Sequence, residues 1–223
     1  MAKLFLVRHL QSQWNLDNRF AGWTDGPIAK NAAIKAIDLA KQIFQEKIDV
    51  AYTSSLFRNM DTVARIFEAV DVKYPFFIHL DGGKMQEWGN FNDISQNDVP
   101  AYVSEKLNER HYGKIQGLNK TEIKIKYGEE KVKEWQRSFN VAPPGGESGK
   151  DVYKRVIPFF KKYAEKDLKN GKNVLLVASH NSLRALIKYI ENISDKKFGE
   201  IELPFGTLIR YELEDGGYVK MLS

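Results

Sequence analysis

The fold is decided by the stretch Lys3-Leu-Phe-Leu-Val-Arg-His-Leu-Gln-Ser-Gln-Trp-Asn15. Its four consecutive apolar residues, Leu4 to Val7, predict a strand that is buried on both faces of a sheet. The chain then turns polar at once, with Arg8 and His9. Ligands of open α/β sheets bind at the carboxyl ends of the strands, so an imidazole beside a guanidinium there indicates an anion pocket with a nucleophile in it. Taken alone, such a pair also fits a purely structural role.

A second apolar run, Val174 to Ala178, predicts another fully buried strand, and it is also followed by a histidine, His180. Two central strands that each end in a histidine can place two imidazoles side by side. Apolar spacing predicts the other elements, which are helices at about 29–44, 56–70, 148–168 and 181–189 and strands at 50–52, 76–80, 208–213 and 218–222. Their alternation is typical of the α/β class.

Composition limits the other possibilities. A chain of 223 residues, of which 43% are hydrophobic, can bury the core of one large domain or of two small ones, and we expect one domain over 1–223. There is no cysteine, so disulfides and thiolate metal sites are excluded. No apolar run reaches the roughly 20 residues that span a bilayer, and the start of the chain lacks the apolar segment of a signal peptide, so we expect a soluble, cytoplasmic protein.

The net charge of +5 and the isoelectric point near 9.1 indicate an anionic partner, which is either nucleic acid or a small molecule. The basic residues are interspersed with acidic ones rather than grouped in a stripe, which disfavours nucleic acid. We interpret the excess as favouring small anionic substrates. The four histidines show no ligand spacing, so we expect no metal.

The segment from Arg8 to Asn15, continued by Phe20-Ala-Gly-Trp-Thr-Asp25, resembles the signature of the cofactor-dependent phosphoglycerate mutases, in the histidine phosphatase superfamily. Four further blocks fall in that family's order, and they are Tyr52-Thr-Ser-Ser-Leu-Phe-Arg58, Leu107-Asn-Glu-Arg-His-Tyr-Gly113, Gln116-Gly-Leu-Asn-Lys120 and Asn181-Ser-Leu-Arg-Ala-Leu186. The resemblance extends from residue 3 to about residue 213. It implies a phosphoglycerate mutase-like fold, a three-layer αβα sandwich with a mostly parallel central sheet.

The implied activity is the interconversion of 2-phosphoglycerate and 3-phosphoglycerate, primed by 2,3-bisphosphoglycerate. His9 is the candidate nucleophile, and Arg8, Arg58 and a protonated His180 are the candidate donors to the phosphoryl group. The resemblance makes Glu109 the general acid/base, whereas the residues alone fit a charged surface turn equally well. The implied substrate-binding residues are Ser12, Asn15, Ala21, Gly22, Arg110, His111, Tyr112, Lys120, Gln136, Arg137, Ser179 and Asn181.

The implied partners are small phosphorylated three-carbon acids, with neither nucleic acid nor membrane, and homo-oligomer formation stays open. One alternative is a phosphatase on the same scaffold, in which water replaces the second hydroxyl. Another is a catalytically weakened binding or regulatory relative. The block around Glu109 and Lys120 favours the mutase, because a phosphatase has less need to hold a carboxylate.

Three departures from the family keep the weakened relative in consideration. Leu10 replaces a glycine, and Gln136 replaces the first of two arginines. The chain also reads Ala178-Ser-His-Asn-Ser182 where the family reads Ala-His-Gly-Asn-Ser, so Ser179 takes the place of the histidine in an ungapped alignment. We expect His180 to face the phosphate nevertheless, because the backbone can kink at a strand end.

Two regions are expected to differ from the family. The segment at about 81–105 is rich in Gly, Asn and Asp, and we expect it to be a peripheral excursion that is either mobile or covers the mouth of the pocket. The chain reaches its last residue directly after the last predicted strand, so we also expect the lysine-rich C-terminal lid of some family members to be missing.

Overall fold

The computed structural model of the chain describes residues 1–70, 73–89 and 95–221. Its strands are β1 (Ala2–Arg8), β2 (Val50–Thr53), β3 (Tyr74–His79), β4 (Asp98–Val103), β5 (Val174–Ala178), β6 (Leu208–Glu214) and β7 (Gly217–Lys220). They form one sheet in the order β3-β4-β2-β5-β1-β6-β7. The pairs among β3, β4, β2, β5 and β1 are parallel, and β6 and β7 are added antiparallel at one edge.

The helices of the described residues lie between these strands in sequence. They are α1 (Gln13–Leu16), α2 (Ala33–Ile43), α3 (Phe57–Glu68), α4 (Gly83–Trp88), α5 (Lys120–Tyr127), α6 (Glu129–Arg137), α7 (Gly149–Lys162), α8 (Ala164–Lys169) and α9 (His180–Ile190). Short 3₁₀ turns occupy Lys30–Ala32, Glu105–Leu107, Gly113–Ile115 and Asp195–Glu200. None of the described helices is long and apolar enough to cross a bilayer.

Alternate residues of the central strands serve two separate cores. Leu4 and Leu6 of β1 pack with the apolar faces of α7, α8 and α9, whereas Phe5 and Val7 pack on the other side with α2 and α3. This division follows from the strand period of two, because successive side chains point to opposite faces of a sheet. The predicted three-layer αβα sandwich with a mostly parallel sheet is therefore confirmed.

The predicted helix after Ser148 is also present, with one interruption. The hydroxyl of Ser148 accepts a hydrogen bond from the Asp151 amide at 3.2 Å, and the Asp151 carboxylate accepts one from the Ser148 amide at 3.0 Å. This reciprocal capping satisfies two amides at the helix start. Pro158 lies inside α7, and the helix gives way to α8 at Tyr163.

The expected excursion at about 81–105 is wrong for its last part. Residues 98–103 form β4, which lies inside the sheet between β3 and β2, with Ala101 and Val103 fully buried. The sequence does not predict this strand because of Pro100. Proline has no backbone N–H to donate to a neighbouring strand, and it therefore argues against a central strand. Residues 90–94, to which the same expectation applied, lie outside the described residues, as does residue 222 of the predicted last strand.

Candidate active site

A cavity of about 180 Å³ opens where β1 and β5 end. These strands are neighbours, and the His9 amide donates to the Ala178 carbonyl at 3.1 Å. Thirteen of the predicted residues line the cavity, and they are Arg8, His9, Asn15, Ala21, Gly22, Arg58, Glu109, Tyr112, Lys120, Gln136, Arg137, His180 and Asn181. Four further lining residues were not predicted, and they are Arg19, Phe20, Arg184 and Phe205. The sheet edge therefore brings together side chains from the whole length of the chain.

His9 is held as a neutral imidazole with one defined tautomer. Its Nδ1 lies 2.6 Å from the carbonyl oxygen of Leu10. Because a carbonyl oxygen only accepts, Nδ1 carries the proton and Nε2 keeps its lone pair. Burial of the side chain, and then the charges of Arg58 and Arg8, hold the pKa of His9 well below its usual range. A neutral Nε2 in this position can act as a nucleophile at neutral pH.

Leu10, which replaces a family glycine, fits the site without strain. Its amide donates to the Thr62 hydroxyl at 3.1 Å, and its carbonyl fixes the His9 tautomer. The side chain is fully buried in the core with Val7 and Ile28. Its φ is not positive, so the position does not demand glycine. This departure is therefore a packing change beside the cavity.

Two guanidiniums lie beside the His9 imidazole, the buried one of Arg58 and the half-buried one of Arg8. Arg58, in the first turn of α3, donates to the carbonyls of Thr24 at 2.9 Å and Gly22 at 2.6 Å. Arg8 donates to the carbonyl of Leu203. The Nε atoms of both arginines are buried without a partner among the described residues. Burial lowers the pKa of Arg8 to about 10, so the group stays charged at neutral pH, and the free N–H groups can bind an anion.

Glu109 is fixed by backbone and side-chain amides. Its Oε1 accepts hydrogen bonds from the Arg110 amide at 2.7 Å and from the backbone and side-chain nitrogens of Asn181 at 3.2 Å and 2.9 Å. No described residue is hydrogen-bonded to Oε2. The carboxylate is thus oriented through one oxygen and leaves the other for proton transfer.

The register at the end of β5 places His180 on the cavity. β5 ends at Ala178, Ser179 is extended, and α9 begins at His180. The alternation of a regular strand therefore does not decide on which side the His180 side chain lies. His180 lines the cavity. Ser179 is not among the lining residues: it is fully buried, and its Oγ accepts a hydrogen bond from Asn59 Nδ2 at 3.1 Å.

The charge state of His180 differs from the expected one. Burial, followed by the charges of Arg184 and Arg8, lowers the pKa of His180 to about 2. The imidazole is therefore neutral at pH 7 in this arrangement, not protonated as the sequence suggested. Its Nε2 is buried with no partner among the described residues.

The side of the cavity formed by α5, α6 and α9 is cationic. Lys120 starts α5, and burial together with the charge of Arg8 lowers the pKa of its amine. Arg137 ends α6 and donates to the Gly199 carbonyl at 2.9 Å. Gln136 is the neutral residue that stands in place of a family arginine. Its backbone carbonyl accepts hydrogen bonds from Arg184 Nη1 at 3.2 Å and from Arg110 Nη2 at 3.1 Å. Arg184 is thus a buried lining cation directly beside the site of the lost arginine.

The structure places three other predicted residues behind the cavity wall. Ser12 donates through its hydroxyl to Asn15 Oδ1 at 2.8 Å. Arg110 is fully buried, and its guanidinium lies 5.0 Å from the centre of the Tyr112 ring. His111 donates through its amide to Glu147 at 2.8 Å. Like Ser179, these residues do not line the cavity themselves, although Ser12 and Arg110 contact lining side chains.

Some of the missed residues have a signal in the sequence. Arg184 is four residues after His180 on a predicted helix, so the two side chains share a face. Phe20 is the first residue of the quoted stretch Phe20 to Asp25, and Arg19 directly precedes it. Phe205 has no such signal, because it comes from an irregular loop.

The side chains that line the cavity are mostly of one charge. Six cationic side chains and one carboxylate line it, and the cations are Arg8, Arg19, Arg58, Lys120, Arg137 and Arg184. A site with this balance suits a ligand with several negative charges. Within the described ranges, no group of three or more histidine, aspartate or glutamate side chains is arranged to hold a metal ion.

A sequence model of the histidine phosphatase superfamily (branch 1) matches residues 4–88 and 91–222. The chain belongs to this superfamily. It is 40% identical over 222 residues to the 2,3-bisphosphoglycerate-dependent phosphoglycerate mutase of Methanococcus vannielii, which covers 99% of this chain and 94% of the relative. It is 41% identical over 212 residues to the protein of the same name from Chlamydia caviae, covering 95% and 93%. These relatives confirm the resemblance that the sequence blocks indicated.

Solved structures of the superfamily share the fold at lower identity. Bacillus stearothermophilus YhfR is 21% identical with a TM-score of 0.75, and the match covers 99% of this chain and 95% of that one. A mycobacterial glucosyl-3-phosphoglycerate phosphatase in complex with VO3 is 20% identical with a TM-score of 0.74, covering 95% and 93%. At these identities, the likeness supports the fold assignment alone.

Proposed function

We propose that this superfamily member is a 2,3-bisphosphoglycerate-dependent phosphoglycerate mutase that interconverts 2-phosphoglycerate and 3-phosphoglycerate. The observation that carries the proposal is the neutral His9 imidazole, with its Nε2 lone pair free, in a cavity of six cations opposite one oriented carboxylate. The names of the full-length relatives supply the substrate class. The proposal implies a role in glycolysis and gluconeogenesis and a cytoplasmic location.

His9 Nε2 is the atom that accepts the phosphoryl group. Its lone pair forms the bond to phosphorus as the bond to the leaving oxygen breaks, and Glu109 returns a proton to that oxygen. The free Nε–H groups of Arg8 and Arg58 face the charge that develops on the phosphoryl oxygens. When bound, 2,3-bisphosphoglycerate supplies the phosphoryl group that first loads His9, and the cationic lining fits its several negative charges.

Glu109 acts as the base in the return step. Its carboxylate takes the proton from the attacking hydroxyl of the bound acid while the P–Nε2 bond breaks and His9 regains its lone pair. The same carboxylate serves both directions, because the hydroxyls on neighbouring carbons of the acid differ little in position. Asn181 keeps the carboxylate in place during both steps.

The cations opposite His9 hold the remainder of the substrate. Lys120, Arg137 and Arg184 lie on the wall formed by α5, α6 and α9, and we assign them to the carboxylate of the acid and to the phosphate that is not being transferred. Arg184 compensates for Gln136, since its buried guanidinium reaches the Gln136 carbonyl.

A coupled assay of the purified protein with 3-phosphoglycerate, with and without 2,3-bisphosphoglycerate, tests the proposal. We expect turnover that depends on the bisphosphate, together with an acid-labile, base-stable ³²P label on His9. The His9→Ala variant should fold and lose both the turnover and the label, because a polar side chain at the sheet edge contributes little to the core. Release of inorganic phosphate with no isomerisation would instead identify a phosphatase.

A further inference from the structure

Phe205 contacts both the proposed nucleophile and the arginine beside it. It lies in the loop between the Asp195–Glu200 turn and β6, and its ring lines the cavity. The Arg8 guanidinium carbon is 3.7 Å from the centre of the ring. The centre of the His9 imidazole is 5.6 Å from it, at an interplanar angle of 46°. One aromatic ring therefore covers two groups that the proposed reaction uses.

The backbone fixes this ring relative to β1. The Gly206 amide donates to the Arg8 carbonyl at 3.1 Å, and the Arg8 amide donates to the Thr207 carbonyl at 3.1 Å. Gly206 has a φ of +66°, in the left-handed region that favours glycine. Phe205 is thus held on the end of β1 and not left on a free loop.

The contact restricts Arg8 in two directions. The ring lies over the face of the guanidinium, while the carbonyl of Leu203 accepts from Nη1 at its edge. A stacked guanidinium keeps its in-plane N–H groups available, and the Arg8 Nε is one that has no partner among the described residues. The contact with the ring therefore orients the Arg8 Nε–H and leaves it free to donate to an anion.

The contact also removes water from one side of His9. A phosphohistidine is lost to hydrolysis when a water oxygen forms a bond to phosphorus, the P–Nε2 bond breaks, Nε2 regains its lone pair and Glu109 takes the water proton. The imidazole is only 3% exposed, and the Phe205 ring occupies space beside it that water would otherwise fill.

We propose that Phe205 is a positioning and specificity-determining residue, whose ring orients Arg8 and shields His9 so that the phosphoryl group passes to a hydroxyl of the bound acid and not to water. This inference rests on the proposed mutase function. A residue of an irregular loop thus sets the ratio of phosphoryl transfer to hydrolysis.

Two variants separate the two effects. Phe205→Leu keeps an apolar cover but removes the aromatic face, whereas Phe205→Ala removes both. We expect kcat to fall about tenfold in each variant with KM nearly unchanged, because the orientation of Arg8 is lost. We expect the ³²P label on His9, in the absence of acceptor, to decay about tenfold faster in Phe205→Ala but near the wild-type rate in Phe205→Leu.

Phe205→Tyr and Tyr74→Ala serve as controls. The first restores the aromatic face and should recover most of the kcat that Phe205→Ala loses, and the second removes an exposed ring on β3 outside the cavity and should leave kcat unchanged. Wild-type decay of the label in Phe205→Ala, with normal kcat, overturns the inference while the mutase assignment stands. If the wild-type protein itself takes up no label and does not isomerise 3-phosphoglycerate, the proposed function fails first.

Discussion

At the scale of single residues, the two proposed catalytic groups are prepared in different ways. His9 is set by one contact, the hydrogen bond from Nδ1 to the carbonyl of its neighbour Leu10, so its tautomer follows from local backbone geometry. Glu109 is set by contacts from far along the chain, since Asn181 is 72 residues away. The first arrangement depends on the end of one strand, and the second depends on the docking of α9.

Glu109→Gln is expected to lower kcat by about 100 to 10,000-fold with only a modest change in KM, because a general acid/base contributes on that order. The amide keeps an oxygen that can accept from Arg110 and Asn181, so the loop should stay in place. Steady-state kinetics of isomerisation check the expectation. Glu105→Gln, an exposed carboxylate four residues earlier, should have no effect, and near-normal turnover in Glu109→Gln would remove this residue from the mechanism.

At the scale of elements, α7 holds the loop that carries Glu109. Arg155 of α7 donates to the carbonyls of Lys106 at 2.9 Å, Asn108 at 2.8 Å and Glu109 at 3.0 Å. Its other donors bind the two carboxylate oxygens of Glu147 at 2.8 Å and 2.9 Å. One guanidinium therefore joins a helix to three carbonyls of the loop backbone through its planar fork of donors.

Arg155→Lys is expected to lower kcat at least tenfold and to destabilise the protein by about 1–3 kcal/mol, because a lysine keeps the charge but cannot satisfy the carbonyls and Glu147 together. KM should change much less than kcat, since Arg155 touches Glu109 and not the cavity. Kinetics combined with urea unfolding separate the two effects. Lys154→Gln, one residue earlier and exposed, is the matched control, and an equal loss there would contradict a positioning role.

Apolar sequence patterns predict those elements in which the apolar residues coincide with the buried positions. The runs Leu4 to Val7 and Val174 to Ala178 are apolar at every position, so β1 and β5 and the histidines after them follow from the sequence. In β4, by contrast, Asp98 and Pro100 alternate with the buried Val99 and Ala101, and the pairing with β2 and β3 overrides the local propensity. Non-local pairing of this kind is not encoded in any short window.

At the scale of the whole molecule, the site is assembled from loops whose contacts no spacing rule predicts. Ten of the thirteen predicted lining residues lie in the sequence blocks, and the other three are Gln136, Arg137 and His180. The place of Phe205 depends instead on how the loop before β6 folds back onto β1, and the supporting role of Arg110 depends on the packing of its loop against Gln136. The physical reason is that a loop side chain has no periodicity to reveal the side on which it lies.

The same assembly makes the stability of the molecule depend on pH. The pKa of His180 is lowered to about 2, whereas an unfolded histidine has a pKa near 6.5, so the unfolded chain binds the additional proton as the pH falls. Stability is unaffected by this group above pH 6.5 and decreases below it. His9, whose pKa is also lowered, acts in the same direction.

We therefore expect the melting temperature to fall between pH 7.5 and 5.5, and to fall less in His180→Asn, which has no imidazole to protonate at this position. Sulfate, a dianion over this range, should bind beside Arg8, Arg58 and His180, raise the pKa of His180 and reduce the fall in the wild type. Thermal melts at both pH values, with and without sulfate, measure this. His79→Asn, in β3, is the matched control and should behave as the wild type. A wild-type melting temperature that falls as little as that of His180→Asn would contradict a buried neutral His180, and a fall that sulfate leaves unchanged would show that His180 does not face the anion.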